Sequence, residues 1–159
     1  MGARGETFAK QYEAKAQEVA AALERLTDAD WKKVTTAEKW PVGVVAHHIA
    51  GAHQTLSGLI KMLADGKPGP NITMDVIHAG NAKHAQEFAN VSKADTLALH
   101  KTNATAAAAT LRSIGDAEFD RSGAVLNGLP PMSAGQLAGG LLCAHMDEHL
   151  GSIKATVGH

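Results

Sequence analysis

Residues 40–66 read WPVGVVAHHIAGAHQTLSGLIKMLADG, and their periodicity decides the fold class. Val45, Ile49, Ala52, Leu56, Ile60 and Leu63 recur at three- and four-residue spacing, which lays one apolar stripe along an α-helix. Pro41 suits the first helical turn, where its missing N–H costs no hydrogen bond, and Asp65-Gly66 followed by Lys67-Pro68-Gly69-Pro70 closes the segment. The helix so read holds about 24 residues, or roughly 36 Å at 1.5 Å per residue. His47, His48, His53, Gln54 and Lys61 interrupt its apolar run, so it reads as a buried helix and not as a membrane span.

The same grammar extends outward in both directions. Phe8, Tyr12, Val19, Ala22, Leu23 and Leu26 recur with helical spacing over about residues 7–27, and a loop containing Asp28, Asp30 and Trp31 follows. Beyond Pro70, a third segment covers about residues 73–89. A fourth runs from a Ser92 cap through the alanines at 106–109 to Ile114, so this stretch is two helices or one bent helix. Gly123, Gly128, Pro130 and Pro131 mark residues 116–132 as a connection. Ser133-x-x-Gln136 is a capping box that opens a last helix reaching about residue 156. The expected fold is all-α, an up-down four-helix bundle with room for one additional short helix, formed by a single domain over residues 1–159.

The chain has 159 residues, 15 Lys plus Arg against 16 Asp plus Glu, and a formal charge of -1. That balance excludes the strongly basic surface of a nucleic-acid binder or a polybasic membrane binder, so neither partner is expected. With 45% hydrophobic and 19% charged residues and no charge blocks, disorder is excluded as well. The lone Cys143 cannot close an internal disulfide, and the first residues lack the apolar run of a signal peptide, so a cytoplasmic location is expected. Aromatic residues make up only 4%, while nine histidines need an explanation.

Projecting residues 100° apart puts His48 about 70° from the centre of the apolar stripe and His47 nearly opposite it. His48 should face inward and His47 solvent, with His53 a weaker inward candidate on the other flank. In the last helix Leu142, Met146, His149 and Ile153 follow i, i+4, i+7, i+11, with His145 one turn before His149 on the same face. Two imidazoles at i and i+4 can direct nitrogens to one metal ion about 2.0–2.1 Å from each. Nine histidines placed at random would give about half of one such pair, so the spacing is weak alone and gains weight from the apolar arc that holds it. A di-iron bundle would need Glu-x-x-His, which the sequence lacks. His78, His84 and His100 have no partner at helical spacing and read as surface residues. Cys143 reads as packing, Trp40 as a plug at the bundle end, and Asn81 as a pocket residue, a cap or an exposed residue. Gly135, Gly139 and Gly140 suit a close helix crossing, inside the bundle or across a homodimer, and a homodimer is the expected assembly.

Trp40-Pro41-Val42-Gly43-Val44-Val45-Ala46-His47-His48-Ile49, the segment from Thr73-Met74-Asp75 to Asn81-Ala82, and His145-x-x-x-His149-Leu150 together resemble the DinB-like superfamily. It includes the bacillithiol transferases and the N-terminal domain of mycothiol-dependent maleylpyruvate isomerase. The resemblance spans about residues 8–157. It implies a four-helix bundle with a divalent metal, Zn or Ni, held by three histidines. The ligand eight residues after the Trp is His48, and the other two are His145 and His149. It further implies a small-molecule thiol and an electrophilic substrate, with the metal lowering the pKa of a thiol or a water. No separate general base is identified, although Glu148 or His53 could serve. Two rival readings remain: a non-catalytic or stress-response bundle in which the metal is structural, and a metal-free interaction protein that dimerises through its last helix.

Overall fold

The computed structural model describes residues 2–158. Its long helices are α1 (Ala3–Glu24), α3 (Val42–Ala64), α5 (Lys93–Arg112) and α7 (Leu142–Val157), with a five-residue α2 (Asp28–Lys32) and a peripheral α4 (Met74–Glu87) between them. The all-α four-helix bundle expected from the periodicity is the fold observed, and residues 73–114 form two helices, not one. Residues placed in a loop after the first helix are instead α2, because the Thr27 hydroxyl accepts from the Asp30 N–H at 3.0 Å while the Asp30 carboxylate accepts from the Thr27 N–H at 3.1 Å. The connection after α5 is a turn of 3₁₀ helix at Asp116–Asp120 and a two-residue antiparallel ladder, β1 (Ser122–Gly123) with β2 (Met132–Ser133).

Several helices start where the sequence supplies a partner for a free N–H group or spares one. Pro41 precedes α3, the Ser92 hydroxyl accepts from Asp95 N–H at 3.0 Å, and Ser133 and Gln136 close their reciprocal box at 3.0 and 2.8 Å. That box opens α6 (Ala134–Gln136), which continues through a π-helical turn at Leu137–Leu141 into α7.

Directions follow from the contacts at the helix ends. Arg112, at the end of α5, pairs with Glu6 and Glu13, and Lys93, at its start, donates to the Glu24 carbonyl at 2.8 Å, so α5 is antiparallel to α1. Trp31 lies against Gly43 and donates to the Val91 carbonyl at 2.9 Å, while Arg121 donates to the Ala64 carbonyl. Both beginnings and both ends of α3 and α5 therefore coincide, and these two helices are parallel. Lys15 meets Asp147 at 2.7 Å and Lys154 meets Glu18, which sets α7 parallel to α1. Round the bundle the order is α1, α5, α3, α7, with α1 and α7 running one way and α3 and α5 the other, so the four-helix bundle is as expected but its long helices run up, down, down, up along the chain and not in the simple up-down alternation. The core between them holds Tyr12, Leu23, Ile49, Ile60, Leu63, Leu111, Leu142, Met146 and Ile153. Gly135 and Gly139 are close-approach positions inside this bundle, against Phe119 and Phe8, whereas Gly140 faces open space.

Candidate metal centre

Leu142, Met146, Leu150 and Ile153 are buried, and this fixes the rotation of α7. With that stripe inward, His145 and His149 stand one turn apart on its flank, toward α3. His48 projects from α3 to meet them. One ligand-capable nitrogen from each of the three lies within 4.8 Å of the others, and His48 Nε2 is 3.1 Å from His145 Nε2. Nitrogens bonded at 2.0–2.1 Å to a tetrahedral ion would stand about 3.3 Å apart, so the donor set and its spacing fit a divalent transition metal. It is the only such group of His, Cys, Asp or Glu among the described residues.

Burial, and then the neighbouring His145 and His149, push the His48 imidazole down to about 3. Burial, with His149, pushes His145 down to about 4. Both rings are therefore neutral at pH 7, which is the state that binds a metal. His149 Nδ1 lies 2.9 Å from Glu38 Oε1, and the Ser152 hydroxyl donates to Glu38 Oε2 at 2.6 Å. Burial works against the Glu38 carboxylate, but hydrogen bonds from Ser152, His149 and Thr35 outweigh it and hold the group below its usual range.

Three other histidines lie elsewhere than expected, His47 against the wheel and His84 and His100 against the absence of a partner at helical spacing. His47, expected in solvent, is 8% exposed: Phe88 stacks on it at 4.0 Å and His84 Nε2 lies 2.7 Å from its Nδ1. His84, expected on the surface, is half-buried beside His48 at 5.7 Å between ring centroids. The reason is α4, which buries no residue of its own core but lays His84 and the following Phe88 over the back of α3. A wheel drawn for one helix cannot show a second cover. His100, also expected on the surface, is 1% exposed; its Nε2–H donates to the Ala16 carbonyl at 2.8 Å. That bond leaves His100 Nδ1 to accept from His53 Nε2–H at 2.9 Å, and His53 Nδ1 then accepts from the Tyr12 hydroxyl. Both nitrogens of His53 are spent, which removes it as a general base. Glu148 is exposed and Asn81 lies half-buried in mid-α4, where it caps nothing; His78 is exposed as expected.

Trp40 packs edge-on against His48 at 5.6 Å, so the residue read as an end plug covers the imidazole cluster. Glu38 was not legible, because its partner His149 is 111 residues away and no local spacing connects them. Two cavities, of 440 and 260 Å³, lie along α5 against α3 and α1, and neither is lined by the three histidines. No helix among the described residues is long and apolar enough to cross a membrane.

The family model of the DinB superfamily matches residues 11–153. Among solved structures, the chain is similar to mycothiol-dependent maleylpyruvate isomerase, with a TM-score of 0.75 and 13% identity over 94% of this chain and 60% of that one. The H52A mutant of that isomerase gives a TM-score of 0.74, again with 13% identity and the same coverage. YfiT from Bacillus subtilis, named a probable metal-dependent hydrolase with an unusual four-helix bundle topology, gives 0.70 with 16% identity over 97% of this chain and 87% of that one. At these identities the likeness establishes the fold, and the chain spans about three-fifths of the isomerase. None of the curated proteins matches this sequence.

Proposed function

The chain belongs to the DinB superfamily, and from that premise we propose that it is a divalent-metal-dependent enzyme of the thiol-transferase type. His48, His145 and His149 would hold the metal, Zn or Ni, and a small thiol or a water would be the nucleophile toward a small electrophile. The observation that carries this reading is the convergence of three imidazoles from two helices, two of them neutral by burial, with one nitrogen of each within 4.8 Å of the others and those of His48 and His145 3.1 Å apart. The names of the structural neighbours support it from two sides, one a thiol-dependent isomerase and the other a probable metal-dependent hydrolase.

A metal on three histidines keeps an open coordination position, where it acts as a Lewis acid and lowers the pKa of a coordinated thiol or water. The protein's own contribution is to keep His48 and His145 unprotonated by burial and to hold His149 against Glu38. Trp40 and His84 flank His48 and keep bulk water from that side.

Elemental analysis of protein purified without a metal-affinity tag tests the centre. About one Zn or Ni per chain is expected in the wild type and none in His145→Ala/His149→Ala. An assay with several cellular thiols and a model electrophile then separates catalysis from a structural staple, which would bind metal and turn nothing over. No metal, even after incubation with Zn and Ni, overturns the reading and leaves a helical scaffold.

A further inference from the structure

Residues 33–41, between α2 and α3, are tied at their neck. Val42 N–H donates to the Lys33 carbonyl at 2.8 Å, Thr35 N–H to the Trp40 carbonyl at 2.9 Å, and Val34 and Pro41 form an antiparallel bridge. Inside the loop Lys39 N–H donates to the Thr35 carbonyl at 3.1 Å, and Lys39 takes a left-handed φ of 61°, a conformation that residues with a Cβ seldom adopt. On either side of that turn stand Glu38 and Trp40. Glu38, its side chain 9% exposed, reaches His149 and Ser152 on α7, and Trp40 lies edge-on against His48 on α3. One short loop thus bears on imidazoles from both helices of the cluster.

From this we infer that the 33–41 loop is the positioning device of the three-histidine centre, with Glu38 as its principal residue. The inference rests on the metal-centre reading. A carboxylate only accepts, so His149 Nδ1 carries the proton and Nε2 keeps the lone pair for the ion. The Ser152 hydroxyl fixes the other carboxylate oxygen, and the edge of Trp40 limits rotation of the His48 ring. A carboxylate behind a ligating imidazole sets its tautomer and raises its basicity, and loss of such a partner weakens metal binding by about 10- to 100-fold.

The test titrates Zn²⁺ alone into metal-free protein against a chromophoric chelator, for wild type, Glu38→Ala, Glu38→Gln and Ser152→Ala. In parallel, ¹⁵N NMR of the metal-free proteins reads the tautomer of His149. Glu38→Ala is expected to weaken Zn²⁺ binding by about 10- to 100-fold, with Glu38→Gln and Ser152→Ala between it and wild type. His149 is expected as the Nδ1–H tautomer in wild type and as a mixture in Glu38→Ala. If Glu38→Ala does not fold, the isosteric Glu38→Gln carries both measurements. Wild-type affinity in every variant, or an Nε2–H tautomer in the metal-free wild type, overturns the inference. A wild type that takes up no Zn²⁺ refutes the metal reading instead, while the tautomer still reports on Glu38.

Discussion

At the scale of single residues, the histidines divide by what their two nitrogens can find. Those of His53 are both satisfied inside a directed chain, Tyr12 to His53 to His100 to the Ala16 carbonyl, which joins α1, α3 and α5 through the centre of the bundle. Tyr12→Phe keeps the volume of the ring but leaves His53 Nδ1 buried without a donor, so a loss of about 1–3 kcal/mol is expected in urea unfolding, with Zn²⁺ uptake unchanged. The same chain dictates a pH dependence. Burial, and then His100, lower the His53 imidazole from 6.5 to about 3, and burial lowers His100 as well. Neutral imidazole is favoured in the folded state, so this stability is complete above pH 6.5 and is lost as the pH falls from there toward 3. Thermal midpoints of the metal-free protein measured across that window should fall steadily, and a flat profile would contradict the buried neutral chain. The wheel turned His48, His145 and His149 inward, because it ranks positions against an apolar stripe, and the structure brings one nitrogen of each within 4.8 Å of the others. His47 escaped the wheel, and His84 and His100 escaped a search for partners at helical spacing, because their burial is decided by another helix.

At the scale of elements, caps and breakers were legible and cover was not. Pro41, Ser92 and the Ser133–Gln136 box stand where helices begin, since each supplies or spares a hydrogen bond at a helix start. α1 begins at Ala3, earlier than its apolar stripe indicates, and at Gly5 it closely approaches the Leu111 carbonyl of α5. Glycines within the helices then separate into two kinds. An added Cβ at Gly58 of α3 or Gly151 of α7 meets nothing within 4 Å, and both backbones are helical, so Gly58→Ala and Gly151→Ala should each stabilise by about 0.4–1 kcal/mol through the unfolded chain. At Gly5 the Cβ would sit 2.5 Å from a backbone oxygen that cannot move alone, so Gly5→Ala should destabilise. Denaturant midpoints of the three variants decide it: a neutral Gly5→Ala would mean that α1 and α5 are less closely packed than the structure has them. The π turn at Leu137–Leu141 has no sequence signal comparable to a cap, and nothing in the helical spacing announced it.

For the whole molecule, periodicity carried the fold class but not the order or direction of the helices, because an apolar stripe says that a helix is packed and not against which partner. The parallel pairing of α3 with α5 requires the chain to travel back along the bundle between them, and residues 65–92, with α4, make that return. α4 closes over His47 on the way, which is how a crossover forced by topology also walls the imidazole cluster. The cluster itself joins α3 to α7, two helices far apart in sequence, so a metal held there would bind the folded chain and not the unfolded one. Linkage then sets the size of the effect: free metal at a hundred times its Kd should add about 2.7 kcal/mol of stability. Scanning calorimetry of chelated and Zn²⁺-loaded protein should show that gain in wild type, and the same titration of His145→Ala/His149→Ala should show none. An equal shift in the double variant would place the stabilising ion elsewhere on the chain, and the three imidazoles would then be a half-buried polar cluster whose role is packing alone.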